Sequence, residues 1–155
     1  MFKTLPKTPD SRYEFVYCDS SLIRNVAEMV VGLLARLPKV NYLVVTWGVW
    51  PPLWDAFRGV RHPTEEGLDR TLAIGYYSRT AAMLDLLPLL QKAKDAGEDA
   101  RVLNVFAAGH GGPIDYSDMG LQKTYSLITS RPVLVTYTDV VMEVSIALWV
   151  LGCMH

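Results

Sequence analysis

The chain has 155 residues, 50% of them apolar, with 15 Lys and Arg against 16 Asp and Glu. That length suits one domain, and a net charge of −1 supplies no basic face for nucleic acid. The apolar share lies at the upper edge of soluble domains and excludes a disordered chain.

Two cysteines, Cys18 and Cys153, cannot build a disulfide framework, so free thiols in a reducing compartment are expected. Met1–Pro9 alternates polar residues with proline where a secretory leader needs an apolar run, and a cytoplasmic location follows. The longest apolar-dense stretch, Val144–Met154, is about half of the roughly 20 residues a spanning helix requires. No membrane span is expected, although an apolar tail remains.

Tyr13–Tyr17 is aromatic and β-prone, and the polar residues 18–21 end it, with Ser20 or Ser21 as a helix N-cap. Leu22, Ile23, Val26, Met29, Val30, Leu33, Leu34 and Leu37 then form one helical stripe, stopped by Pro38. Tyr42–Thr46 is an apolar run without alternation, as in parallel strands buried on both faces. Residues 47–63, rich in Trp, Pro and Gly, read as a loop with local packing, whose Trp47, Trp50, Trp54 and Phe57 could otherwise line an apolar pocket. Thr64 is placed as the cap of a long helix reaching about Ala96, with the stripe Leu68, Leu72, Tyr76, Met83, Leu86, Leu87 and Leu90. Pro88 bends this helix and Gly97 closes it.

Residues 101–106 form another buried-strand candidate, followed by a Gly-rich loop at 107–112 and a polar stretch to about Ser130. From Pro132 onward Val133, Tyr137, Val140, Val141, Val144, Ala147, Leu148 and Leu151 keep a helical stripe despite many β-branched residues. The order β-α-β-α-β-α predicts an α/β fold: a partial Rossmann-like parallel sheet with flanking helices.

Few motifs carry chemistry. Gly109-His110-Gly111-Gly112 follows a strand but opens no helix, so it reads as a loop at the strand ends rather than a phosphate cradle. Its similarity to an esterase oxyanion loop has no nucleophile elbow to serve. His62, His110 and His155 lack partners at metal-ligand spacing, and no metal site is expected. Cys18, beside Asp19 with no adjacent cation, reads as a small apolar residue rather than a nucleophile.

Six stretches in order resemble one family: residues 15–20 (FVYCDS), 41–48 (NYLVVTWG), 66–70 (EGLDR), 76–79 (YYSR), 86–90 (LLPLL) and 101–105 (RVLNV). Together they look like the middle of a short-chain dehydrogenase/reductase of the kind found in fungal secondary metabolism. The resemblance implies a Rossmann-type sheet, NAD(P) and hydride transfer on a carbonyl or hydroxyl group of a small-molecule substrate. It assigns cofactor-binding positions to Asp19, near the adenine, and to Thr46 and Gly48 in the turn after a strand. Trp47 in that turn would crowd the cofactor side of the sheet.

Tyr137 matches the family's catalytic tyrosine, but the lysine four residues on is Val141, the serine position falls on Phe106-Ala107, and the supporting asparagine falls near Gly75. A phenol with a reference pKa of about 10 and no adjacent cation is a poor base at neutral pH. The resemblance therefore implies a single incomplete Rossmann-like domain. It comprises an extension (1–12), a core (13–151) and a tail (152–155), with no room before Tyr13 for a glycine-rich βαβ unit. NAD(P) binding should be weak or lost and the enzyme degenerate. The alternative is a non-catalytic partner protein, docking as a homo- or hetero-oligomer through exposed apolar surface.

Overall fold

A computed structural model describes residues 12–150 except 51 and 108, with the backbone alone at 53, 56, 127 and 146–150. The elements are α1 (Ile23–Arg36), β1 (Tyr42–Val45), α2 (Leu53–Arg58), α3 (Arg70–Leu72), a π segment (Ala73–Tyr77), α4 (Ser78–Asp95), β2 (Arg101–Asn104) and α5 (Leu127–Val150). β1 and β2 pair in parallel, from Tyr42 opposite Arg101 to Val45 opposite Asn104. The chain is therefore α/β, a small parallel sheet with flanking helices in a partial Rossmann-like arrangement.

The strands depart from the sequence expectation in one respect. An unbroken apolar run predicts burial on both faces, yet exposure alternates along β1 and β2. Leu43 packs under α1 and α4 against Val26, Val30, Ala82, Leu86 and Leu89, while Tyr42, Val44, Leu103 and Val105 are exposed on the other side. Side chains alternate faces with period two, so a single helical layer can cover only half of them. Among the described residues nothing covers the second face.

The strand expected at Tyr13–Tyr17 is also absent. That segment is irregular and exposed, with Phe15 and Tyr17 open to solvent. β-propensity makes no strand without a neighbour to satisfy its backbone groups.

Helix starts were the least legible feature. Neither Ser20 nor Ser21 caps α1; its N-cap is Leu22, which offers no side-chain acceptor. Glu66 reaches across instead, accepting from the Ile23 N–H at 2.7 Å and the Arg24 N–H at 3.1 Å. A carboxylate satisfies two orphan donors there and suits the positive end of the helix dipole. Thr64 does not start the long helix either. Residues 63–69 form a tight turn in which the Thr64 N–H donates to the Leu68 carbonyl. Buried Asp69 then caps α3 through the N–H groups of Thr71 and Leu72. The last helix begins at Leu127, five residues ahead of Pro132, because Ser126 and Thr129 exchange side-chain-to-backbone hydrogen bonds at its start.

The stripe of α5 is only half used. Val133 and Tyr137 are buried with Leu134 against Leu72, Leu121 and Tyr125, whereas Val140 and Val144 are exposed. The side chains of Ala147 and Leu148, together with Leu151, Cys153, His155, residues 1–11 and most of the apolar tail, lie outside the described residues. No helix among the described residues is long and apolar enough to cross a membrane.

The Glu66 contact makes a pH-dependent prediction. Its hydrogen bonds from Ile23 and then Arg24 hold the carboxyl below its ordinary value. A depressed folded value means that its stabilisation is present above the unfolded value, about 4.3, and is lost as pH falls through the folded one. Glu66→Gln should lower the urea midpoint at neutral pH, with the gap from wild type closing under acid. A gap unchanged down to the acid range would show that the carboxylate charge contributes nothing.

Candidate functional site

The chain leaves β1 at Thr46 and β2 at Val105, and between these strand ends and the start of α5 lies a cavity of about 370 Å³. Its wall includes Thr46, Gly48 and Trp50 after β1, Phe106 and Ala107 after β2, and Ser130, Arg131 and Leu134 of α5. Gly75 and Arg79 enter from the long helix. Clefts at the carboxyl ends of parallel strands are where α/β folds bind ligands, and this volume lies in the range of small-molecule pockets.

Arg79 organises that end of the sheet. The residue is 2% exposed, and its Nη1 donates to Asn104 Oδ1 at 2.6 Å and to the Val105 carbonyl at 2.8 Å. Nη2 donates to the Trp47 carbonyl. One guanidinium thus ties the segment after β1 to the segment after β2. Its carbon sits 4.8 Å from the Phe106 ring centroid, a cation–π contact. Among the described residues no carboxylate pairs with it, and Nε has no acceptor. Burial pushes the guanidinium pKa down, because the charged form loses its water.

The structure separates the residues that the resemblance assigned to one site. Thr46 and Gly48 line the cavity. Asp19 lies elsewhere, in a recess with Tyr17, Cys18 and Asn25, where its carboxylate accepts from the Ser21 N–H at 3.0 Å. That bond, with a smaller contribution from Arg70, holds the Asp19 carboxyl below its usual range.

Tyr137 is buried among Leu72, Tyr125 and Leu134, tilted against Tyr76 at 5.2 Å, and its hydroxyl donates to the Met119 carbonyl at 3.0 Å. Burial, then Tyr77 and Tyr76, raises its phenol pKa. Val141 is half-buried one turn further on.

Trp47 is not among the residues that line the cavity. Its indole N–H donates to Ser78 Oγ at 3.0 Å, and the ring packs with the α1–α4 core. The segment expected as a loop over 47–63 contains α2, and local packing fails as an account of its other aromatic residues. Trp50, Trp54 and Phe57 are exposed, with Arg131 stacked on Trp50 at 5.0 Å and Arg58 on Trp54 at 5.5 Å. Trp50 lines the cavity. At Gly75 an added Cβ would lie 3.4 Å from Leu134 Cδ1, so an asparagine there would compete with α5 for space.

The Gly-rich loop is occupied by packing. The Gly112 N–H donates to Thr136 Oγ1 at 2.9 Å, and that hydroxyl donates back to the Gly112 carbonyl at 2.8 Å. His110 is exposed, while His62 has a partner, Asp55 Oδ2, at 3.1 Å. Cys18 is half-buried, its thiol pKa raised first by burial and then by Asp19. Among the described residues no group of three His, Cys, Asp or Glu could hold a metal ion.

Sequence reasoning passed over Arg79 and Arg131, while Trp50 entered only through the alternative that its segment lines an apolar pocket. A signal for Arg79 was present: the stripe Leu72, Tyr76, Met83, Leu86, Leu90 skips one turn, and Arg79 fills it. A charge at an inward-facing helical position marks a buried ionic group.

No protein-family model matches the chain. It is similar to Oxidoreductase AN1596 of Emericella nidulans, 33% identical over 135 residues, which cover 87% of this chain and 38% of that protein. Against the NmrA-like family domain-containing oxidoreductase notO of Aspergillus, identity is 32% over 74% of this chain and 32% of the relative. Against Oxidoreductase andH of Emericella variicolor it is 30% over 87% and 37%. The chain thus spans between 32% and 38% of the length of these relatives, each of which is named an oxidoreductase.

Proposed function

We propose that the chain is an oxidoreductase-type unit resembling the short-chain dehydrogenase/reductases, contributing the substrate side of an NAD(P)-linked carbonyl or hydroxyl transformation in fungal secondary metabolism. The observation that carries the reading is the cavity at the carboxyl ends of two parallel strands, with Thr46 and Gly48 in its wall. The names of the three relatives support it.

The residues present do not fit a whole dinucleotide. Asp19 lies in a different recess, and the Tyr137 hydroxyl is bound to the Met119 carbonyl rather than lining the cavity. Phe106 and Ala107 bring no hydroxyl to the strand end. The chain's own groups offer a shaped, partly aromatic wall and a buried cation. We read it as catalytically degenerate on its own.

Titration with NADPH, followed by tryptophan fluorescence, should show no saturation in the micromolar range, and purified chain should not reduce carbonyl compounds. Micromolar NADPH binding, or carbonyl reduction abolished by Tyr137→Phe, would overturn the degenerate reading. If neither NADPH at millimolar concentration nor any carbonyl compound perturbs the cavity, the oxidoreductase reading itself fails.

A second reading, a non-catalytic partner protein, is favoured by the sheet face bearing Tyr42, Val44, Leu103 and Val105, which no described residue covers. Light scattering after size exclusion decides it: a stable monomer at all concentrations argues against a homo-oligomer, and failure to associate with an oxidoreductase of the same pathway argues against docking.

A further inference from the structure

We propose that the cavity between the strand ends and α5 binds a small organic anion, a carboxylate or phosphate group on a flat apolar body, with Arg79 beneath it and Arg131 at its rim. The inference uses the cavity of the proposed function but not its redox chemistry.

The charge balance of the wall comes first. Two guanidinium groups line the cavity, and no Asp or Glu is among its lining residues. No carboxylate pairs with Arg79 or Arg131 among the described residues. A buried charge without a counter-charge is costly, and structures normally pair it. Arg79 is held by neutral acceptors alone, two carbonyls and an amide oxygen. A guanidinium has five N–H donors. Three of them are engaged, leaving Nε and one Nη2 hydrogen without an acceptor among the described residues. Planar anions bind arginine through such paired donors.

Access comes second. Nη2 lies on the Gly48 side, 3.6 Å from where a Cβ at position 48 would stand, so the glycine leaves that approach open. Arg131 is exposed and stacked on Trp50, which lets it close over a ligand without crossing the core. Most of the remaining wall is apolar, with Phe106, Trp50 and Leu134, and Thr46, Thr71 and Ser130 add neutral hydroxyl residues. Cations below and above an apolar slot suit a flat body carrying one anionic group.

Three probes test this: benzoate, its neutral analogue benzyl alcohol, and inorganic phosphate, each read by thermal shift and by tryptophan fluorescence. Benzoate or phosphate should bind saturably and raise the melting temperature, with benzyl alcohol giving no such effect; which anion binds better tells carboxylate from phosphate. Arg131→Ala, at the rim and outside the ties between the strands, should fold normally and weaken anion binding about tenfold or more. Absence of saturable binding by both anions, equal binding of benzyl alcohol, or an unchanged affinity in Arg131→Ala overturns the proposal. Anion binding without any response to NADPH or carbonyl compounds would uphold this site while removing the oxidoreductase reading, and the reverse result would remove this site alone.

Discussion

Arg79→Leu is expected to destabilise the protein by about 3–5 kcal/mol, the largest effect of any single substitution considered. Leucine keeps much of the apolar stem but withdraws every donor from Asn104 Oδ1 and from the carbonyls of Val105 and Trp47. Leaving a buried acceptor unsatisfied costs about 1–3 kcal/mol each. Removal of the uncompensated guanidinium charge returns part of that sum, which keeps the expectation below the full total. Arg79→Lys retains the charge yet cannot reach three acceptors on two strand ends from one nitrogen in a fixed fork, so it should recover only part of the loss. Urea unfolding of the two variants measures both. A cost below about 1 kcal/mol for Arg79→Leu would mean that water or backbone adjustment replaces the ties.

Gly112→Val should cost about 2–3 kcal/mol, by a steric rather than an electrostatic route. A Cβ at position 112 would stand 2.6 Å from the Pro132 Cβ, on a ring held inside α5, and neither atom can swing away. The valine would push the loop off α5 and stretch the paired bonds between Gly112 and Thr136. Gly109→Ala is the comparison: its φ of 78° strains any side chain, yet nothing lies within 4 Å of the added carbon. Its cost should stay near 1 kcal/mol. If the two variants lose the same stability, the loop's contact with α5 contributes little and the glycines serve only backbone conformation.

Helix faces were legible because their signal is local and repeated. Val26 and Val30 of α1 and Leu86 and Leu90 of the long helix are buried where the 3.6-residue period places them. The parallel pairing of 42–45 with 101–104 also follows from strand, helix, strand order, since a parallel neighbour needs a crossover. Helix starts were not legible in the same way. Ser20, Ser21 and Thr64 are sensible caps by residue type, but the backbone donors of α1 are taken by Glu66. A partner more than forty residues away leaves no local pattern to read.

The candidate site divides along the same line. Thr46 and Gly48 came from the resemblance, in the turn after a strand, and they line the cavity. Trp47 sits between them and turns the opposite way, since its indole finds Ser78 within the helical layer. Tyr137 was placed by an alignment of motifs, and its surroundings follow from how α5 lies on Tyr76, Leu72 and the 115–125 turn, a packing choice that no spacing in the chain expresses.

By itself the sequence carried the fold class, the two parallel strands with the helices beside them, and the apolar faces of those helices, though not the first strand it predicted nor α2. Periodicity and composition are properties of neighbouring residues, so the chain carries them openly. Only the tertiary structure decided that one sheet face is left exposed by the described residues, that Glu66 caps α1, that the Gly-rich loop is packed on Thr136, and that Arg79 joins two strand ends beside a cavity. Each of those depends on burial and on hydrogen-bond partners distant in the chain, and the free energy of a buried polar group is set by what surrounds it in space.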